Sequence, residues 1–167
     1  LAADLGWRAD PKLSGGGMFM DTGSHLVAAI LFLTGLSIQE VTAFVDNVGA
    51  PVDINTAVAL RFVGGAVGTI TTIGNAEKHD EQISIHGEKG SITIHQHEWS
   101  IIRSLHVDQP MKIPASIKEE SPDSAFFRWI KSSKGYVPPD YALQVSRVSE
   151  AVYKSAEQKK PIRPSRR

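Results

Sequence analysis

The sequence predicts an α+β domain: a mostly antiparallel, open-faced sheet with helices packed on one face. Three observations carry this reading. An apolar run, Leu26-Val27-Ala28-Ala29-Ile30-Leu31-Phe32-Leu33, lies near the start. From residue 38 the apolar period changes to two, with connections too short for parallel crossovers. Near the end, Val145, Val148, Val152 and Ala156 fall on one helical face. Helix, strands, then helices suit one layer of helices on a sheet.

Each element has its own signal. Residues 1–14 are read as an extended lead-in, with Pro11 breaking any early helix. Residues 17–34 predict a helix, because Met18, Leu26, Ala29, Ile30 and Leu33 recur at helical spacing and Gly35 can stop it. The helix is apolar on nearly all sides after His25, so it is expected to be buried. Val41, Ala43 and Val45 alternate with Glu40, Thr42 and Asp46 as a strand. Residues 54–62 and 66–73 follow as a pair, joined by the turn signal Gly64-Gly65. Residues 82–86 and 91–95 form another pair around Gly87-Glu88-Lys89-Gly90, and 99–106 and 111–113 add two more strands. Residues 123–132, with Ala125, Phe126, Trp129 and Ile130, read as a helix. Pro138-Pro139-Asp140 opens a last helix over 140–158, where proline costs little because the first amides lack partners anyway.

One sheet face remains to be covered. Opposite Val58, Leu60 and Phe62, the strand carries Ala57 and Ala59 between Asn55 and Arg61. Neither face is strongly polar, so the open face is expected to pack on another copy, making a homo-oligomer.

The 167 residues are read as one domain, 1–167. Lys plus Arg and Asp plus Glu both total 18, so charge gives no reason to expect nucleic acid or an anionic membrane as partner. The basic stretch 159–167 reads as a solvated tail. The chain has no cysteine, which excludes disulfides, thiolate nucleophiles and cysteine–zinc sites and fits a cytoplasmic location. The longest apolar run is well short of the roughly 20 residues that span a bilayer. No signal peptide is visible, and a chain opening at Leu1 is expected to be a fragment or a processed product.

The chemistry concentrates in Gly15-Gly16-Gly17-Met18-Phe19-Met20-Asp21-Thr22-Gly23-Ser24-His25. On a helix, Asp21 and His25 would project from one face and reach one ligand. A neighbouring carboxylate favours the imidazolium, which suits a proton donor or acceptor near neutral pH. The same pair would also serve simply to stabilise a helix. The glycines add weight to function, because they permit close backbone approach to a ligand. Other chemistries fit less well. Asp21-x-x-x-His25 lacks the second histidine and the glutamate of a helical zinc site, and the triplet lacks the third glycine and preceding strand of a dinucleotide fingerprint. Gly64-Gly65-x-x-Gly68 reads as a turn, and Ser24 is too close in sequence to His25 for a nucleophile–base pair. His95 and His97 share a strand face without a third ligand, so no metal site is expected.

These residues resemble the C-terminal domain of the Gfo/Idh/MocA family (glucose–fructose oxidoreductase, inositol dehydrogenase). The resemblance rests on Trp7-Arg8, Gly15-Gly16-Gly17, Asp21-Thr22-Gly23-Ser24-His25 and Gly35. It continues through Val41-Thr42-Ala43, Val52-Asp53, Gly64-Gly65, Ile85-His86-Gly87-Glu88-Lys89-Gly90-Ser91-Ile92 and Ala151-Val152-Tyr153-Lys154-Ser155-Ala156.

The resemblance implies an NAD(P)-dependent oxidoreductase acting on a sugar, polyol or related hydroxyl compound. It implies His25 as the proton-transfer residue, with Asp21 as its partner or as a ligand for a substrate hydroxyl. Arg8, Trp7, Gly15, Gly16 and Gly17 are then weaker candidates for lining the site, with the glycines as clearance for substrate and nicotinamide. NAD or NADP would be bound mainly by a Rossmann domain that these residues do not contain, so this chain alone is expected to be inactive. Ala28 and Phe32 depart from the acid and the tryptophan common at those positions in the family. An NAD-dependent glycoside hydrolase of the same family and a non-catalytic binding or dimerisation module are the alternatives.

Overall fold

A computed structural model describes residues 6–78, 80–95, 120–132 and 139–165. The chain divides into two compact units, Leu1–Ala76 with Val137–Arg167, and Glu77–Tyr136. The predicted strands 99–106 and 111–113 lie outside the described residues, as do His97 and the side chain of His95.

The first unit is the α+β layer structure expected. Its sheet has the order β1 (Ile38–Asp46), β2 (Asn55–Phe62), β3 (Val67–Ile73), all antiparallel. Alternation sorts the side chains of β2: Thr56, Val58, Leu60 and Phe62 are buried, while Ala57, Ala59 and Arg61 are exposed. The β2–β3 turn needs glycine, because Gly64 and Gly65 take φ of 94° and 95°. A bulge between Ile38 and Glu40 brings both Ile38 and Val41 to the inner face. Beyond β1, Ile162 and Val41 exchange both backbone hydrogen bonds at 2.9 Å, extending the sheet by one bridge.

Helix α4 (Pro139–Gln158) covers the inner face with Val148, Ala151 and Val152, and Val145 and Ala156 pack at the margin of this core. Helix α2 (Ser24–Thr34) adds Val27 and Leu31. Ser155, fully buried, donates its hydroxyl to the Lys160 carbonyl and accepts from the Ala43 amide. It thereby supplies an acceptor where the β1 edge needs one. On the opposite face Phe44 and Val67 are 77% and 75% exposed.

The second unit holds a hairpin, β4 (Gln82–Gly87) with β5 (Gly90–His95), and helix α3 (Pro122–Ser132). The β4–β5 pair is therefore a separate two-stranded sheet and does not continue the β1–β3 meander. The apolar side chains of α3 are largely exposed, Phe126 and Ile130 among them.

Three local readings change. Pro11 opens a helix instead of preventing one. Asp10 caps α1 (Pro11–Ser14) by accepting from the Lys12 amide, and proline at the first position sacrifices no hydrogen bond. The segment ahead of α2 is not continuous α-helix, because Phe19–Gly23 forms a π-helical turn. Helix α2 is only partly buried, since Phe32 is 71% exposed and Leu33 42%. The 24 residues Pro11–Thr34 are also long and apolar enough, by composition, to cross a bilayer. In the fold, Phe19, Val27 and Leu31 of that stretch are core residues.

Candidate functional site

The site is built around a residue that belongs to the family resemblance but was not among the candidate site residues. Asp53, in the loop before β2, is 3% exposed. Its carboxylate accepts the Gly17 amide at 2.6 Å, the Phe19 amide at 2.7 Å and the Tyr153 hydroxyl at 2.7 Å. The Thr56 hydroxyl lies 3.4 Å away. The Asp53 carbonyl also accepts the Met18 amide at 2.9 Å. A buried carboxylate is tolerated only when its oxygens are satisfied, and charge-assisted bonds are the strong ones. One signal pointed this way: amides at the start of a helix need acceptors from elsewhere. Nothing local in Val52-Asp53 shows that its carboxylate supplies them.

This knot accounts for two of the three glycines. A Cβ on Gly17 would collide with the Asp53 carbonyl oxygen and lie 2.8 Å from its nitrogen. A Cβ on Gly16 would collide with the Tyr153 hydroxyl. Gly15 takes φ 75° and closes α1 by donating to the Pro11 carbonyl. Gly16 and Gly17 therefore clear space for the protein's own Asp53 and Tyr153, a packing role that the sequence did not announce. Gly16 and Gly17 do line a small cavity, as expected, but Gly15 is not among its lining residues. Gly23 also has a packing role, since its Cβ would lie 2.5 Å from the ring of fully buried Phe19. That ring meets Tyr153 edge to face at 6.3 Å.

The structure does not bring Asp21 and His25 together. Asp21 sits in the π-helical turn, whose wider i→i+5 bonding breaks the α-helical alignment of positions four apart. Its carboxylate accepts from Arg8 Nε at 3.1 Å, and the Arg8 guanidinium lies 4.8 Å from the centre of the Trp7 ring. Asp21, Arg8 and Trp7 line the small cavity of about 190 Å³ together with Asp53. His25 is exposed and lines a different, more open cavity of about 650 Å³ with Ser24, Ala28, Phe32 and Tyr141. Met20 borders both cavities. Among the described residues no hydrogen bond or ion pair joins Asp21 to His25, and no three metal-ligating side chains gather. Both members of the Arg8–Asp21 pair are more than half exposed, so the pair is weak as a stabiliser and free to change partners.

Burial, with help from the hydrogen bond and charge of Asp53, pushes the Tyr153 phenol well above the ordinary tyrosine range. A phenol that keeps its proton remains a donor to the carboxylate. The unfolded chain releases this proton near pH ~10 and the folded chain releases it higher, so stability is full below that pH and falls above it.

Two outcomes follow from the knot. Gly17→Ala is expected to destabilise the fold by about 3 kcal/mol, because the obstruction is backbone and cannot rotate away; urea unfolding reads this. In Tyr153→Phe the loss of stability above pH ~10 is expected to shrink relative to wild type. Equal alkaline slopes in unfolding curves of the two proteins would exclude this role for Tyr153.

Comparison with known proteins places this architecture. The sequence profile of the GFO/IDH/MocA C-terminal domain matches residues 2–93. No curated protein matches the chain. Among solved structures, an oxidoreductase domain protein from Kribbella flavida superposes with a TM-score of 0.84 at 22% identity, over 98% of this chain and 55% of that one. Levoglucosan dehydrogenase in complex with NADH and levoglucosan gives 0.78 at 21%, over 99% and 55%. The WlbA dehydrogenase from Bordetella pertussis, in complex with NADH and UDP-GlcNAcA, gives 0.71 at 24%, over 94% and 48%. These likenesses establish a shared fold, and the chain spans about half the length of the structures it matches. With the profile covering more than half of its residues, the chain belongs to the Gfo/Idh/MocA C-terminal domain family.

Proposed function

We propose that this chain is the substrate-binding domain of an NAD(P)-dependent oxidoreductase acting on a sugar, polyol or related hydroxyl compound. The observation that carries the reading is the seating of the acid–histidine segment. A buried carboxylate clamps the turn from behind, and Asp21 and His25 are left exposed beside two cavities that share Met20. The complexes of two matched folds, with NADH and levoglucosan and with NADH and UDP-GlcNAcA, support a carbohydrate substrate class.

His25 exchanges the proton of the reacting hydroxyl, and Asp21 with Arg8 holds neighbouring hydroxyls. The two residues line neighbouring cavities that share Met20, so each can reach a different group of one substrate. The glycine segment lacks the third glycine and the preceding strand of a dinucleotide fingerprint. In this reading NAD or NADP, which takes up or returns the hydride, is bound by a dinucleotide-binding domain outside these residues.

The open face of β1–β3 is proposed as the contact with a second copy. Phe44, Val67 and Ile73 are at least half exposed there and lie beside Ala57 and Ala59, which add no charge.

In the intact oxidoreductase, His25→Ala is expected to lower turnover by about 100-fold or more while nicotinamide binding persists. Unchanged turnover in steady-state kinetics would remove His25 from the chemistry. Phe44→Glu is expected to shift the chain from oligomer to monomer in light scattering. A wild-type chain that is monomeric at every concentration would dispose of the contact.

A further inference from the structure

The cavity beside His25 differs in chemistry from the one beside Asp21. Its walls are two helix faces of the first unit. Helix α2 contributes His25, Ala28, Ala29 and Phe32, which share a face at helical spacing. Helix α4 contributes Tyr141, Ala142 and Val145. The Tyr141 hydroxyl donates to the Ala28 carbonyl at 2.6 Å, which fixes one wall against the other. No carboxylate, ammonium or guanidinium group is among the lining residues.

The hydroxyl protons of this cavity are already spent. Besides Tyr141, Ser24 donates to the Asp21 carbonyl at 2.9 Å and Ser146 to the Ala142 carbonyl at 3.1 Å. The Ser149 hydroxyl is buried and has no partner among the described residues. Among the lining residues, His25 is therefore the exposed side-chain donor that is not tied to the chain itself. A polyhydroxyl group seated here would give up its water without finding replacement partners. The cavity beside Asp21, by contrast, offers a guanidinium and a carboxylate, each more than half exposed.

We propose that the His25 cavity is a subsite for a neutral apolar substituent of the substrate, an alkyl or aryl group carried next to the reacting hydroxyl. This rests on the reading of His25 as the residue that exchanges that hydroxyl's proton. The uncharged lining matches an uncharged occupant, because an ionised group would lose its water with no counter-charge to meet it. Ala28, Ala29 and Ala142 leave room between the helices, and Phe32, 71% exposed, presents a ring that the substituent covers. The volume of about 650 Å³ lies within the roughly 300–1,000 Å³ of small-molecule sites. Met20 borders both cavities, so the subsite is continuous with the polar one. A substrate spanning them turns its hydroxyl-rich side to Arg8 and Asp21 and its apolar side to the alanines.

The test is titration of the chain with benzyl alcohol and, separately, with myo-inositol, following the methyl signals of Ala28, Ala29 and Ala142 by NMR. Benzyl alcohol is expected to give saturable shifts at all three methyls, and myo-inositol at the same concentrations none. Ala142→Glu places a carboxylate at an exposed position of the α4 wall, and Ala28→Gln fills the cavity from α2. Each is expected to weaken benzyl alcohol binding about tenfold or more while melting like wild type. Gln158→Glu, a charge added elsewhere on α4, is expected to leave binding unchanged. Lack of saturation, myo-inositol binding as tightly as benzyl alcohol, or undiminished affinity in both alanine variants overturns the proposal. Because the titration reads no turnover, its failure overturns the subsite alone, whereas unchanged turnover in His25→Ala overturns the chemistry on which the subsite rests.

Discussion

The first unit depends on the buried carboxylate of Asp53. An ionised group taken out of water costs several kcal/mol unless its oxygens are satisfied. Here they are met by two backbone amides and a phenol, all at 2.7 Å or less. Those donors come from the turn ahead of α2 and from α4, while Asp53 itself leads into β2. One side chain thus ties three elements together, and the ties come with conditions. The turn must approach closely enough that positions 16 and 17 can hold no side chain. The phenol must stay protonated, which burial next to the carboxylate ensures.

Helix α4 is held to the sheet by two kinds of contact. Val148, Ala151 and Val152 exclude water from the inner face, a non-directional force that allows sliding. Tyr153 and Ser155 remove that freedom, because hydrogen bonds to Asp53, Ala43 and Lys160 are satisfied in one register only. Apolar burial therefore brings the helix down, and the hydroxyls set where it stops. The candidate site inherits this precision. The π-helical turn that carries Asp21 is fixed at its start by the amides of Gly17 and Phe19, and His25 follows it on the first turn of α2.

Much of the fold was legible because it rests on local periodicity. The alternation of Thr56, Val58, Leu60 and Phe62 with Ala57, Ala59 and Arg61 is visible in the chain, and the structure sorts them to two faces as expected. Gly64-Gly65 announced its hairpin, and the apolar stripe of α4 was readable at its spacing. Errors arose where one residue type serves two purposes. Pro11 breaks a helix interior but suits a helix start, and the capping carboxylate of Asp10 decides between them. The run after His25 is apolar enough for burial on all sides, yet a two-layer unit buries one side, so Phe32 faces outward.

The candidate site was legible in composition and not in arrangement. The sequence by itself determined the layer class, the alternating faces and the presence of an acid, an imidazole and a glycine triplet in one segment. Those are properties of neighbouring residues. Only the tertiary structure decided that Gly16 and Gly17 make way for Tyr153 and Asp53. Only there does Asp21 turn to Arg8 and leave His25 beside another cavity. The physical reason is distance along the chain. Gly17 meets a carboxylate 36 residues away, and that carboxylate meets a phenol 100 residues further on. Such contacts exist only once the sheet and α4 have packed.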